Sequence, residues 1–123
     1  MIRPAFDESR PHLRVRSGES VYRILTTPWI YGGKTTVIFR VISKIRRDGR
    51  IEVMHYTETE KGKFTVAAHA VMKEEKFEKF LAMVQTAINR VVPGTHLYEE
   101  QWRKMPSEIL RTEFLFETRG GVP

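Results

Sequence analysis

A chain of 123 residues, 41% of them hydrophobic and 29% charged, has the size and composition of one globular domain. It contains no cysteine, which excludes disulfides, cysteine zinc sites and thiol catalysis. The net charge of +6 favours a polyanionic partner, with nucleic acid ahead of an anionic membrane, although many basic proteins carry such charge only for solubility.

The sequence also bears on where the protein works. Its first 16 residues lack the apolar core of a secretory signal, and no run approaches the length of a membrane span, so we predict a cytoplasmic protein. Gln85, Asn89 and Gln101 are the only amides in the chain. Scarce amides together with abundant Lys, Arg and Glu are typical of thermophilic proteins.

The first predicted segment is a flexible basic arm over residues 1–17, where two prolines stand among mixed charges. Basic arms of this kind lie along nucleic acid in other proteins, although a loose terminus is the simpler explanation. Val15 could begin an edge strand. The folded domain is predicted over residues 18–119, and residues 120–123 are predicted to be a disordered tail.

Four strands follow the arm, and each is rich in β-branched or aromatic residues or alternates between apolar and polar. They are predicted over Ser20–Thr27, Thr35–Arg46, Arg50–Thr59 and Lys63–Met72. Trp29 and Tyr31 stand beside a Gly-Gly turn between the first two strands. We expect Tyr31 to cover the core and Trp29 to be exposed.

The turn at Asp48-Gly49 sets the predicted faces of the sheet, because Asp-Gly between alternating runs favours a two-residue hairpin loop. Such a loop places Val41 opposite Tyr56. Side chains alternate across a strand, so one face then collects apolar residues such as Phe39 and Val41. The other face collects basic residues with apolar gaps and almost no acids.

The helical spacing of apolar residues predicts one amphipathic helix over Lys73–Val92, ended by Pro93-Gly94. A short helix is expected over residues 97–105. The alternation over Thr112–Thr118 predicts a strand that could add to a sheet edge or exchange with a second subunit. The predicted fold is α+β, a four- to five-stranded antiparallel meander with one long amphipathic helix packed on one face and a short helical and strand C-terminal tail.

The candidate catalytic feature is a pair of histidines, His55 and His69, which the predicted registers place directly opposite each other on the basic face. Two imidazoles at that separation suit a metal, but a catalytic zinc usually needs a third protein ligand, and the predicted sheet offers none nearby. The sequence contains no nucleophile elbow and no phosphate loop. We therefore predict no enzyme activity, no metal and no cofactor.

The basic face of the predicted sheet is the candidate nucleic-acid site, because cations contact phosphates while aromatic rings and imidazoles stack on bases. Outward faces of antiparallel sheets are usually polar, so the scarcity of acids on this face is what favours nucleic acid. The predicted contacts are Arg23, Trp29, Lys34, Arg40, Lys44, Arg46, Arg47, Arg50, His55 and His69.

Four consecutive antiparallel strands followed by one amphipathic helix, over Ser20–Val92, resemble the ββββα unit of the Whirly and Pur-alpha types of single-stranded nucleic-acid binder. The strand-into-helix stretch KGKFTVAAHAVMKEEKF, residues 61–77, is loosely similar to theirs. The resemblance implies curved sheets that present bases to stacking and basic residues. It also implies two units paired through their helices or tails.

The function predicted from the sequence is non-enzymatic binding of single-stranded DNA or RNA by a homodimer, with no membrane partner. The first alternative is a protein-interaction or assembly module, in which the aromatic loop and the tail bind a partner chain. The second alternative is a small hydrolase or metal enzyme that uses His55 and His69.

Overall fold

The computed structural model describes residues 13–31, 34–100 and 114–116, and these residues form an α+β fold, as predicted. No helix within this part of the chain is both long and apolar enough to cross a bilayer. The elements in chain order are β1 (Leu13–Val15), β2 (Ser20–Thr26), β3 (Ile30–Tyr31), β4 (Thr36–Ile45), β5 (Ile51–Thr59), β6 (Phe64–Met72), α1 (Glu74–Val91), β7 (Tyr98–Glu100) and β8 (Phe114–Phe116).

The main sheet is antiparallel and has the strand order β6-β5-β4-β2-β7, with β3 paired to the first residues of β4. Strands β4, β5 and β6 form the predicted meander, and β2 pairs with the other side of β4. Strands β1 and β8 form a separate parallel pair. The sheet therefore ends in a nine-residue strand, β6, on one side and a three-residue strand, β7, on the other.

The turn between β4 and β5 has three residues rather than the predicted two. The N–H of Gly49 donates to the carbonyl of Arg46 at 2.9 Å, and the N–H of Arg46 donates to the carbonyl of Arg50 at 2.8 Å. Gly49 has a φ of 86°, which is the left-handed conformation that closes a three-residue loop with a bulge. Val41 therefore pairs with His55 instead of Tyr56, and the predicted faces of β5 were wrong because a one-residue shift reverses them.

Both faces of the sheet carry a hydrophobic core. The helix face, which α1 covers, buries Phe39, Val41 and Val53 against Phe77 and Ile88 of the helix. The opposite face, called the far face below, has a smaller core that includes β1. Its buried members are Leu13, Val15, Val21, Ile24, Ile42, Met54 and Tyr56.

Strand β1 lies inside the segment that was predicted to be a flexible arm. Leu13 and Val15 are both buried, since they pack on the far face. Their alternating apolar side chains cover sheet residues that would otherwise face water. Residues 13–15 therefore belong to the folded domain, and residues 1–12 lie outside the described residues.

A bulge in β2 shifts its register against β4 between Val21 and Ile24. Ser43 lies opposite this bulge and is fully buried. Its hydroxyl donates to the carbonyl of Arg23 at 2.7 Å and accepts the N–H of Arg23 at 3.1 Å. The serine thus satisfies the backbone groups that the bulge takes out of the ladder.

The C-terminal tail differs from its prediction where it is described. Tyr98–Glu100 form strand β7 against β2, so the short helix predicted over residues 97–105 was wrong at that point. Residues 101–113 and 117–123 lie outside the described residues. Phe114–Phe116 are extended, as predicted within Thr112–Thr118, but they pair with β1 rather than with an edge of the main sheet.

Candidate nucleic-acid interface

Two predicted contact residues, Arg40 and Lys44, lie on the far face of β4, as expected, and a third, Arg46, directly follows the strand. Lys44 is nevertheless only 4% exposed. Its Nζ lies 2.7 Å from Oε1 of Glu19 and 3.6 Å from Oε1 of Glu52. The charge of Lys44 is therefore neutralised inside the protein rather than presented to a ligand.

The two carboxylates around Lys44 were not predicted to lie there. Glu52 reaches the far face because the register of β5 is shifted, and Glu58 reaches it for the same reason. The prediction of a nearly acid-free face was therefore wrong. Burial opposes the charge on Glu19, but the hydrogen bonds from Lys44 and from the N–H of Arg16 outweigh it and hold the pKa of Glu19 below its usual value.

Arg23 lies on the helix face, not on the far face as predicted, because of the bulge in β2. Its guanidinium contacts Glu78 of α1 at 2.7 Å and Glu99 of β7 at 2.7 Å and 2.9 Å. It also lies 5.4 Å from the centre of the Phe77 ring. The hydrogen bonds that its guanidinium donates to Glu99, and then to Glu78, raise the pKa of Arg23 against the effect of burial. Arg23 therefore joins the helix to the sheet.

His55 and His69 lie on opposite faces of the sheet, so the predicted pairing of these residues was wrong. His55 is buried on the helix face, where its Nδ1–H donates to the carbonyl of Arg40 at 3.1 Å. Burial lowers the pKa of His55. His69 is on the far face with Nε2 2.8 Å from Oε2 of Glu52. Over residues 13–31 and 34–100, no three His, Asp or Glu side chains are grouped as metal ligands would be.

Two exposed aromatic residues, Trp29 and Tyr31, lie at one end of the sheet. Trp29 is exposed, as predicted, and Tyr31 is 72% exposed, so its predicted role in covering the core was wrong. Both residues lie beside the first residues of β4, near Lys34, which is also exposed. The ten residues of β4 separate them from the opposite end of the sheet by about 30 Å.

That opposite end gathers four arginines from two chain segments, residues 16–18 and 46–50. We call this cluster, Arg16, Arg46, Arg47 and Arg50, the arginine end. The guanidinium of Arg47 donates to the carbonyl of Ser17 through Nη2 at 2.6 Å and through Nε at 3.2 Å, which holds the two segments together.

Asp48 is the one acid in the two segments of the arginine end. The N–H of Arg50 donates to its carboxylate at 3.0 Å, and Nη2 of Arg46 lies 3.5 Å from it. This backbone hydrogen bond and then the charges of Arg46 and Arg50 lower the pKa of Asp48. Arg16, Arg47 and Arg50 remain exposed, so the arginine end presents net positive charge to solvent.

An open cleft of about 380 Å³ leads from the arginine end onto the far face. Sequence reasoning placed Arg16 in the arm and found no role for Glu19. The signal it missed is the Ser17-Gly18 turn, in which the N–H of Glu19 donates to the carbonyl of Arg16 at 2.9 Å. The cleft is lined by Leu13, Arg16, Glu19, Lys44, Arg46, Glu52 and His69.

No family model matches this chain, and no curated protein or solved structure matches it either. The resemblance to the Whirly and Pur-alpha proteins therefore stays a prediction.

Proposed function

We propose that the protein binds nucleic acid through phosphate contacts at the arginine end and catalyses no reaction. The observation that carries this proposal is the set of four arginines in the two segments that the Arg47–Ser17 contact holds together, where Asp48 is the one acid. Like charges on neighbouring surface residues repel one another, the more so at low salt. A polyanion relieves that repulsion, and guanidinium groups match phosphate oxygens in geometry as well as in charge.

This proposal moves the site away from the centre of the sheet. Strand β1 covers part of the far face, and Lys44 is held by Glu19 and Glu52. Trp29 and the arginine end lie at opposite ends of β4, so stacking and phosphate contacts do not share one platform. Binding at the arginine end therefore responds to phosphate charge, and it gives single strands no advantage over a duplex, whose phosphate charge is denser.

Of the alternatives, the hydrolase loses its basis because His55 and His69 lie on different faces. The assembly module is favoured by a separate surface, the uncharged outer edge of β6.

The test of the proposal compares two charge-matched double variants in a fluorescence anisotropy titration of a labelled oligonucleotide. Arg47→Gln with Arg50→Gln removes two positive charges from the arginine end. Lys61→Gln with Lys63→Gln removes two exposed charges from the turn between β5 and β6, at the other end of the sheet. We expect the arginine variant to weaken binding about tenfold and the lysine variant to change it by less than about threefold.

Arg47 also holds the loop at Ser17, so the single variant Arg50→Gln serves as a second test with less effect on the fold. Thermal unfolding of each variant shows whether the fold is retained. Equal weakening by the arginine and lysine pairs would mean that binding follows total charge, and the arginine end would then not be the site.

A further inference from the structure

Strand β6 forms the outer edge of the main sheet in the described part of the chain. Its nine residues, FTVAAHAVM, contain no Lys, Arg, Asp, Glu or Pro. Edge strands are usually protected from pairing with other chains by charged residues, proline or short length. Val71 in this strand is 41% exposed. The strand thus lacks the usual side-chain protection at an edge that can accept another strand.

One irregularity limits which part of β6 can pair. His55 pairs with Ala68 and Tyr56 pairs with Val66, so Ala67 is an extra residue that forms a bulge. A bulge interrupts the ladder and twists the strand locally. The regular part of the edge is therefore Ala68–Met72, five residues that pair without interruption with β5.

The orientation of α1 determines which of its flanks lies over this edge. Glu74 accepts a hydrogen bond from the hydroxyl of Tyr22 at 2.9 Å, and Glu78 pairs with Arg23 at 2.7 Å. Tyr22 and Arg23 belong to β2, on the side of β4 away from β5 and β6. The opposite flank of the helix therefore lies towards β6.

That opposite flank is largely exposed and mostly apolar, with Lys76 one turn before Phe80. Met83 is 69% exposed and Val91 is 66% exposed, while Phe80 is packed partly into the core of the helix face. Large exposed apolar side chains that continue an unprotected strand edge are typical of protein interfaces. We call the surface formed by the edge of Ala68–Met72 together with Phe80, Met83, Ala87 and Val91 the edge strip.

We propose that the edge strip is a dimer interface, in which Ala68–Met72 pairs antiparallel with the same segment of a second copy of this chain. A twofold axis through Ala70 places Ala68 opposite Met72 and His69 opposite Val71. Each residue then meets a partner on its own face of the sheet, so the two sheets join into one and both helices lie on the same side. The small side chain of Ala70 at the axis lets the two copies approach closely.

A second copy fits this surface better than a charged partner does. The pairing segment Ala68–Met72 carries no ionisable group except His69, so an acidic or basic partner would find no other charge to pair with along the strand. A second copy presents the same uncharged edge and the same apolar flank, as an isologous interface requires. The net charge of +6 on each chain opposes association at long range, and salt screens that repulsion.

The test is sedimentation velocity over a range of protein concentrations at low and at moderate salt. Val71→Lys places a charge on the pairing edge, and Met83→Glu places one on the helix flank. Tyr98→Lys places the same charge as the first variant on an exposed residue of the opposite edge strand, β7. We expect the wild type to dimerise at micromolar concentrations. The dissociation constant should be at least about tenfold larger in the first two variants and unchanged in the third.

Salt distinguishes this proposal from nucleic-acid binding at the arginine end. Dimerisation through the edge strip should strengthen as salt rises, whereas phosphate contacts weaken. Circular dichroism shows whether Val71→Lys keeps its fold, and Met83→Glu, on an exposed helical position, provides an independent variant. A wild-type protein that stays monomeric, or a dimer that Tyr98→Lys disrupts as strongly as the other two, would overturn the proposal without affecting the nucleic-acid test.

Discussion

At the scale of single residues, Lys44 shows how a cation can lie on the predicted face and still be unavailable to a ligand. Its ammonium group is almost fully buried and lies between the carboxylates of Glu19 and Glu52. Removing one partner of a buried ion pair leaves the other charge without compensation, and this costs more than the pair itself contributes. Lys44 therefore contributes to the stability of the fold through its ion pairs with Glu19 and Glu52.

Lys44→Met should lower the free energy of unfolding by about 3 kcal/mol at neutral pH, because it leaves Glu19 ionised and half-buried without its main hydrogen-bond donor. Glu19→Gln combined with Lys44→Met should recover part of that loss, since Glu19 is then neutral and only Glu52 is left as a carboxylate without Lys44. Urea denaturation of both variants measures the difference. An equal loss in the single and the double variant would show that packing, not charge, explains the effect.

The sign of the pH dependence provides a separate check on Glu19. Its pKa is lowered from the ordinary value of 4.5, so its contribution to wild-type stability is present above about pH 4.5 and is lost as the pH falls through the lowered value. In Lys44→Met the main hydrogen bond is gone and burial dominates, so the pKa of Glu19 should rise. The stability that this variant loses relative to the wild type should then grow as the pH rises towards neutrality, because the contribution of His55 is common to both and cancels in the difference.

His55 gives a second pH-dependent prediction. Burial lowers its pKa from the ordinary value of 6.5, so the unfolded chain takes up a proton that the folded protein excludes. Wild-type stability should therefore decline as the pH falls below about 6.5. His55→Gln keeps a donor for the Arg40 carbonyl but does not titrate, and denaturation at a series of pH values should show a shallower decline. A slope equal to that of the wild type would contradict this role for His55.

At the scale of elements, the turn between β4 and β5 decides which side chains share a face. The faces of β4 were predicted correctly, because the alternation of Phe39 and Val41 with Arg40 fits only one orientation. The faces of β5 were not, because Asp48-Gly49 is compatible with a two-residue and with a three-residue loop. The sequence correctly indicated a turn at Asp48-Gly49, but it did not determine the number of residues in the loop.

Gly49→Ala tests the loop directly. Gly49 has a φ of 86°, and no atom lies within 4 Å of the position that a Cβ would occupy, so the substitution changes backbone strain alone. We expect a loss of about 1–2 kcal/mol in the free energy of unfolding. Gly49→Asn should lose less, because asparagine tolerates the left-handed conformation better. Equal losses in the two variants would contradict this explanation.

The candidate site was predicted less well than the fold, for reasons that lie in irregular backbone. Nothing in the composition of β2 indicates the bulge that Ser43 stabilises, and this bulge is what moves Arg23 to the helix face. Leu13 and Val15 are too few to produce a periodic signal, so the cover on the far face could not be predicted. Arg47 and Arg50 were identified because the hairpin turn that holds them was itself recognisable.

At the scale of the whole molecule, the described surface divides into regions of different chemistry. The arginine end is basic, the opposite end of the sheet carries Trp29 and Tyr31, and the edge strip is uncharged apart from one imidazole. If the proposed dimer forms, antiparallel pairing of β6 places the two arginine ends at diagonally opposite corners of one continuous sheet. Each copy would then contact phosphates separately.

The most direct test of the central claim is the dependence of nucleic-acid affinity on salt, measured for the wild type, for Arg47→Gln with Arg50→Gln, and for Trp29→Ala. Each phosphate bound on a single strand contributes a slope of about −0.7 in a plot of log affinity against log salt. We predict that the arginine pair flattens this slope by about 0.7 for each phosphate that the variant no longer binds, and that Trp29→Ala leaves both slope and affinity close to the wild type. A slope unchanged by the arginine pair, together with weaker binding in Trp29→Ala, would contradict the claim that the arginine end is the binding site.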